Sequence, residues 1–211
     1  MSDPRLQTLA RLGVATVYEA SGREGLVDED FIPLLPEAKV AGPARIGLCG
    51  PGDNRTVHEV AAHVQPGDVV VLTMHNPVPV ALVGDLLATQ FMSHGAAGLL
   101  VNASVRDADV LRELGLPIWT RWVRVRGATK RHRGVVDQPV IVGGARIRPG
   151  DIVVMDGDGV VVVAADRVDE VVAASEAREA KEAVARQKYL AGALSYDLHG
   201  FRAADEGKNS T

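Results

Sequence analysis

The sequence predicts an α/β fold: one domain followed by a C-terminal helical arm. Three observations carry this. Short, wholly apolar runs at residues 69–72, 98–101 and 160–163 alternate with segments of helical period. Turn residues abut those runs, as in Pro66-Gly67-Asp68 and Asp156-Gly157-Asp158-Gly159. A long charged stretch, residues 166–190, carries i,i+4 pairs at Arg178–Glu182 and Glu182–Arg186 that support a helix.

Each element follows in order. Residues 4–22 read as a helix, because Leu6, Leu9, Leu12 and Val17 lie near the 3.6 period and Gly22 can end it. Residues 23–50 read as loop and short strand, broken by Pro33, Pro36 and Pro43. Pro51-Gly52-Asp53-Asn54 is a turn, and residues 55–64 look helical. Residues 69–72 form a buried strand, and residues 86–93 a helix stopped by Gly95. Residues 98–101 are another strand, residues 108–114 a short helix ended by Gly115, and 117–119 begin the next strand. Residues 121–134 are strongly basic, with Arg121, Arg124, Arg126, Lys130, Arg131 and Arg133. Strands follow at 139–142 and 152–155, the latter in a hairpin with 160–163. The tail from Gly192 reads as polar and irregular. Residues 65–71 echo residues 148–154, which we read as two uses of one good turn. The division is a domain at 1–165 and an arm at 166–211, expected to pack on a neighbouring subunit.

The 211 residues are 46% hydrophobic and 24% charged, enough for a single core and incompatible with wholesale disorder. A net charge of −4 argues against a globally basic nucleic-acid binder. Cys49 stands alone, which excludes an intrachain disulfide and a Cys-based zinc site. The first residues lack the apolar core of a signal peptide, and no run reaches membrane-spanning length. The expectation is a cytoplasmic protein without membrane contact.

Several chemistries lose support. Lys39, Lys130, Lys181, Lys188 and Lys208 all lie in polar contexts, unlike an imine-forming lysine. His58 and His63 are five residues apart, so they do not share a helix face as a zinc pair must. No Gly-x-Ser-x-Gly elbow, phosphate-binding loop or dinucleotide fingerprint is present.

Two segments remain. In Gly84-Asp85-Leu86-Leu87 a glycine leads into a helix, whose free N–H groups suit a carboxylate. In Arg106-Asp107, after an apolar strand, the guanidinium suits a carboxylate or enolate oxygen, and the carboxylate suits a hard divalent cation. By spacing alone, Arg106-Asp107 reads first as an i,i+1 surface pair, or Asp107 as the N-cap of the next helix; the flanking pattern is what favours a site.

An Asp, twenty residues (86–105), then Arg-Asp is a pattern that resembles the RraA-like proteins. Within them it is similar to the class II pyruvate aldolases that cleave 4-hydroxy-4-methyl-2-oxoglutarate and 4-carboxy-4-hydroxy-2-oxoadipate. The flanks agree: Ala15-Thr16-Val17-Tyr18-Glu19-Ala20, Pro51 to Asn54, Pro149-Gly150-Asp151, and the run from Asp156 through Val163. Ala177 to Glu182 and Ser195 to Arg202 resemble the aldolase C-terminus, so the resemblance covers nearly the whole chain. One departure is Asn102-Ala103, where the family commonly has Asp-Gly. It removes a negative charge near the implied metal.

The resemblance implies a ββα swivelling domain, a compact sheet or barrel flanked by helices, assembled as a homotrimer or homohexamer. It implies Asp107 as the ligand of Mg2+ or Mn2+ (Co2+ also accepts oxygen ligands), and Arg106 as the group that holds the enolate oxygen. Gly84, Leu86 and Leu87 would bind the pyruvyl carboxylate, and Asp85 would orient metal-bound water. Asn54 is either a substrate contact or plain turn chemistry, and His58 either a base or a solvated helix residue. The basic run 121–133 is a solvated loop, an attractor of a polycarboxylate substrate, or an RNA contact. It lacks the aromatic interleaving of a single-strand groove. The implied activity is retro-aldol release of pyruvate from a hydroxy-oxo acid in aromatic-compound catabolism, with oxaloacetate decarboxylation as a side activity. The alternative is a non-catalytic regulator that binds and inhibits a ribonuclease; that branch lacks the aspartate after the arginine. A methyltransferase function finds no adenosylmethionine-type glycine loop.

Overall fold

A computed structural model describes residues 3–208. Helix α1 spans Pro4–Ala20, started by Pro4 and by Asp3, whose side chain accepts from the Arg5 N–H at 2.9 Å. It is not the continuous helix the period predicts. Gly13 takes φ 83°, and the freed Val14 N–H donates to Asp156 Oδ2 at 2.8 Å. A Cβ at Gly13 would stand 2.6 Å from that oxygen, so the break needs glycine.

β1 (Ile32–Pro33) is followed by β2 (Val40–Cys49), a ten-residue strand inside the segment read as loop. Pro43 misled that reading. Residues 40–43 of β2 pair antiparallel with a later strand, and residues 44–49 pair parallel with another. Pro43 stands where β2 changes partner, a place where a missing N–H costs little of the ladder.

Then come α2 (Arg55–Ala61), β3 (Val69–Met74), β4 (Ala81–Val83), α3 (Asp85–Ser93), β5 (Gly98–Val105), α4 (Ala108–Leu114) and β6 (Ile118–Val123). β7 (Val135–Val136), β8 (Val140–Val142), β9 (Ala145–Ile147), β10 (Ile152–Asp156) and β11 (Gly159–Val163) complete the strands. Among the described residues, nine strands form one sheet in the order β1-β6-β5-β3-β2-β10-β11, with β4 added on β5 and β7 on β2. It curls into a half-barrel flanked by helices. β2, β3, β5 and β6 run parallel, so α2, α3 and α4 are crossovers.

Strand alternation divides the core. Val70, Leu72, Leu99, Val101 and Ala103 face the crossover helices through Val57, Val60, Leu87, Phe91 and Leu111. Val69, Val71, Leu100 and Trp119 face inward against the β8–β9 hairpin and β10–β11. A third cluster joins Leu9, Val14 and Val17 of α1 to Val154 and Val161. Each fully buried Leu or Phe contributes about 1.5–3 kcal/mol.

The sequence echo is one turn used twice. The Gln65 N–H donates to Asp68 Oδ2 at 2.9 Å and the Asp68 N–H to Gln65 O at 3.0 Å. The Arg148 N–H donates to Asp151 Oδ2 at 2.8 Å and the Asp151 N–H to Arg148 O at 3.1 Å. Gly67 and Gly150 supply the positive φ, 95° and 85°.

Contacts divide the chain into two units, Met1–Ser175 and Glu176–Thr211, so the boundary falls inside α5 (Val168–Leu190), whereas the sequence reading places it at 165. In the second unit Arg178 pairs with Glu182 at 2.9 Å. The tail is not irregular as expected: α6 (Ser195–Leu198) and α7 (Phe201–Lys208) form there. Arg202 bridges them by pairing with Asp197 and lying 5.0 Å over the Tyr196 ring. Among the described residues no helix is long and apolar enough to cross a membrane.

Candidate active site at three strand ends

Three strands that run in the same direction end at one edge of the half-barrel, each feeding a helix. β2 ends at Cys49 and leads through Asp53 and Asn54 into α2. β4 ends at Val83 and leads through Gly84 into α3. β5 ends at Val105 and leads through Arg106 and Asp107 into α4. In open α/β sheets ligands bind at such carboxyl ends.

The second and third junctions touch. The Arg106 N–H donates to Val83 O at 3.0 Å, which fixes the ends of β4 and β5 side by side. Asp107 occupies the N-cap position of α4, but its side chain makes no capping bond. It adopts the left-handed conformation, φ 60° and ψ 38°, which is costly outside glycine and tends to mark functional positions. Its carboxylate turns instead toward the start of α3. Oδ2 lies 3.4 Å from the Asp85 N–H nitrogen and 3.4 Å from Arg106 Nε. A Cβ on Gly84 would fall 2.6 Å from Asp107 Oδ2 and 3.1 Å from Arg106 Nε, so glycine makes the approach possible.

Gly84 is the N-cap of α3 and offers no side-chain cap, which leaves the N–H groups of Leu86 and Leu87 open in the first turn. The Leu86 side chain is exposed and that of Leu87 is buried in the core. The structure thus brings together Gly84, Asp85, Leu86, Leu87, Arg106 and Asp107. Asn54 plays a different part: its Nδ2 donates to Leu82 O at 3.1 Å, tying the first junction to β4. Its buried Oδ1 has no hydrogen-bond partner among the described residues. His58 is exposed on α2, and burial, with the Lys130 charge second, lowers its pKa. Asn102 points to the inner face, where its Nδ2 donates to Thr73 Oγ1 at 3.0 Å.

The donor set around Asp107 can be tested against a metal. Among the described residues no three His, Cys, Asp or Glu side chains converge on one point, so a dehydrated cage does not fit. Asp107 is 38% exposed, and its Oδ1 has no partner among the described residues. That fits a hydrated, oxygen-seeking divalent cation which takes its other ligands from water and substrate.

Sequence reasoning missed the residue beneath the site. Asp53 is fully buried, and its Oδ2 accepts from Thr129 Oγ1 at 2.5 Å, the Arg131 N–H at 2.5 Å and the His132 N–H at 3.0 Å, while Oδ1 accepts from the Arg55 N–H at 2.8 Å. Burial alone would raise its pKa. The hydrogen bonds outweigh that and hold the carboxyl well below the usual range. Cys49, four residues before, is pushed up to about 12 by burial and then by the Asp53 charge, so its thiol is inert.

Comparison with known proteins decides the family. The RraA-like model (Aldolase/RraA) matches residues 14–162. The chain belongs to the RraA-like family. A relative from Halalkalibacterium halodurans, named "Putative 4-hydroxy-4-methyl-2-oxoglutarate aldolase", is 31% identical over 150 residues, 71% of each chain. Among solved structures, Streptomyces coelicolor RraAS2, described as an unusual member of the RNase ES inhibitor RraA protein family, is similar at 33% identity. It covers 88% of this chain and 97% of its own, with a TM-score of 0.78. An uncharacterized protein from Pseudomonas syringae pv. tomato shares the fold at 24% identity, covering 92% of each chain with a TM-score of 0.82. The RraA-like half-barrel thus accounts for the strand order described above.

Proposed function

We propose that this RraA-like protein is a divalent-metal-dependent pyruvate aldolase that cleaves a 4-hydroxy-2-oxo di- or tricarboxylate. The single observation that carries the reading is the Asp107 side chain. It leaves its own helix uncapped and turns to Gly84–Asp85 beside Arg106. The name of the Halalkalibacterium halodurans relative supports the same chemistry.

In the cleavage, the C3–C4 bond of the substrate breaks and its electron pair moves to the C2 carbonyl oxygen. The C4 hydroxyl loses its proton and becomes a ketone, and the enolate of pyruvate is then protonated at C3. The N–H groups of Leu86 and Leu87 bind the C1 carboxylate at the helix start. The Arg106 guanidinium holds the developing oxygen charge at C2. Asp85, at the first position of α3, orients the water that takes the hydroxyl proton and returns one to C3. Asp107 would hold a magnesium or manganese ion (cobalt accepts the same donors), which would supply Lewis-acid charge to the developing enolate. Oxaloacetate gives the same enolate on losing carbon dioxide, so decarboxylation belongs to the proposal.

The test is pyruvate release from 4-carboxy-4-hydroxy-2-oxoadipate and from 4-hydroxy-4-methyl-2-oxoglutarate, with and without magnesium or manganese, for wild type and Asp107→Ala. Metal-dependent release that disappears in the variant, with an unchanged circular dichroism spectrum, supports the aldolase. No release from either substrate with either metal refutes it. The likeness to RraAS2 favours a second reading, a regulator that binds and inhibits a ribonuclease. Inhibition of a ribonuclease by a protein that releases no pyruvate would establish that reading instead.

A further inference from the structure

The basic run is not a uniform solvated loop. Its two ends are neutralised: Arg121 pairs with Glu29 at 2.5 Å, and Arg133 with Glu59 at 2.5 Å. Between them, Arg124, Arg126, Lys130 and Arg131 are exposed and belong to no ion pair among the described residues. Four like charges within eight residues repel one another, yet the backbone that carries them is held firmly.

It is stitched to the first and third junctions of the candidate site and to the start of β4. The Arg124 N–H donates to Val105 O at 3.0 Å, one residue before Arg106. Arg126 O accepts from the Ala81 N–H at 2.7 Å, at the start of β4. The Thr129 N–H donates to Gly52 O at 2.9 Å, and Thr129 O accepts from the Asn54 N–H at 2.9 Å. The buried Asp53 carboxylate fastens Thr129, Arg131 and His132 from below. The Arg106 guanidinium lies against Gly127, where a Cβ would meet its Nη1 at 3.5 Å.

We propose that residues 124–131 form the recognition element for the distal carboxylates of the substrate, and that Asp53 is the positioning residue that holds this element beside Arg106. The proposal rests on reading the same site as one that takes an oxo acid. Charge is what the loop offers: unpaired cations next to a site for the pyruvyl end attract a ligand with further carboxylates at the other end. RNA is the less suited polyanion. The aromatic residue of the run, Trp122, is covered by Arg121 at 4.5 Å and offers no free stacking face on that side.

The experiment separates recognition from turnover. Binding of tricarballylate, an unreactive tricarboxylate, is measured by calorimetry at two salt concentrations. The proteins are wild type, the double variant Arg124→Ala/Arg126→Ala, the clamp variants Asp53→Asn and Thr129→Val, and Arg112→Ala, an exposed cation of α4 already paired with Asp109 at 2.7 Å, as a control. The double variant should bind about tenfold or more weakly, and Arg112→Ala within about twofold of wild type. High salt should erase most of the difference, because exposed charges are screened within about 10 Å. Thr129→Val, which removes one of the three bonds from Asp53 to the loop and leaves every cation in place, should weaken binding severalfold, with a Tm loss of a few degrees and an unchanged circular dichroism spectrum. In turnover the loop and clamp variants should raise KM, more for 4-carboxy-4-hydroxy-2-oxoadipate than for its methyl analogue, while kcat holds. Equal tricarballylate affinity in wild type and the double variant overturns the proposal. So does single-stranded RNA binding that the double variant loses while tricarballylate does not bind. Tricarballylate binding that depends on the loop, in a protein that releases no pyruvate, refutes the aldolase reading and leaves the recognition element standing.

Discussion

Gly84→Ala separates the chemistry of the site from the stability of the fold. Gly84 has φ −130° and ψ −171°, an extended conformation open to any residue, so the backbone resists nothing. The new methyl group would stand 2.6 Å from Asp107 Oδ2, where ordinary contact begins at 3.4 Å, so the carboxylate must retreat by about 0.8 Å. Its side chain is free to do so, being 38% exposed and bound to no cap. Misplacing a reacting group by about 1 Å can cost about 10²-fold in rate. We therefore expect kcat for pyruvate release to fall by about 10- to 100-fold, equivalent to about 1.4–2.7 kcal/mol of barrier. An N-cap glycine replaced by alanine costs about 1 kcal/mol or less of stability, a Tm change of about 2–4 °C at this chain length. The assay pairs metal-saturated turnover with a thermal melt of the same preparation. Turnover within twofold of wild type would refute the placement of chemistry at Asp107 and Arg106. A Tm loss near 10 °C with activity per folded molecule intact would refute the claim that only the site feels the methyl group.

Two contrasting perturbations act on the frame. A Cβ on Gly134 would meet Leu48 O at 1.9 Å and Thr56 Oγ1 at 2.8 Å, and neither backbone nor buried hydroxyl can step aside. Gly134→Ala should therefore cost about 3 kcal/mol or more, read as a large drop in Tm. For Asp53, the folded carboxyl titrates below its unfolded value of about 3.9, so its stabilisation is complete above that pH and is lost as pH falls through the folded pKa. Asp53→Asn should flatten the acid limb of a Tm-against-pH curve below about pH 4, and a limb of unchanged slope would remove Asp53 as its source.

Much of the α/β frame was legible because buried parallel strands are nearly continuous apolar runs, as in β3 and β5. Legibility failed where a local signal meets a long-range one. Pro43 reads as a breaker, but β2 continues through it because two different partners take over on either side. β4 and β7 are too short to show a period and exist only because the C-terminal ends of β5 and β2 offer each a partner. The helices after Gly192 rest on Tyr196, Asp197 and Arg202, whose contacts no apolar period announces.

The site divides along the same line. The twenty residues between Asp85 and Arg106 have a plain meaning: they are the rest of α3, a four-residue turn, and β5. One crossover and one return strand bring the two ends to the same edge, so the spacing encodes proximity. Spacing does not encode what Asp107 does there. At an N-cap position the cheaper choice for an aspartate is to cap its own helix. Here it takes a left-handed backbone and faces Gly84 and the Asp85 N–H instead. Nor does spacing encode Asp53, whose partners at Thr129, Arg131 and His132 lie on a loop that follows β6. A carboxylate inside a Pro-Gly-Asp-Asn turn looks like turn chemistry until the loop it anchors is found alongside Arg106. The residues that sit at the strand ends could be read from the sequence. The residues that aim them belong to contacts more than seventy positions apart, and those exist only once the half-barrel has closed.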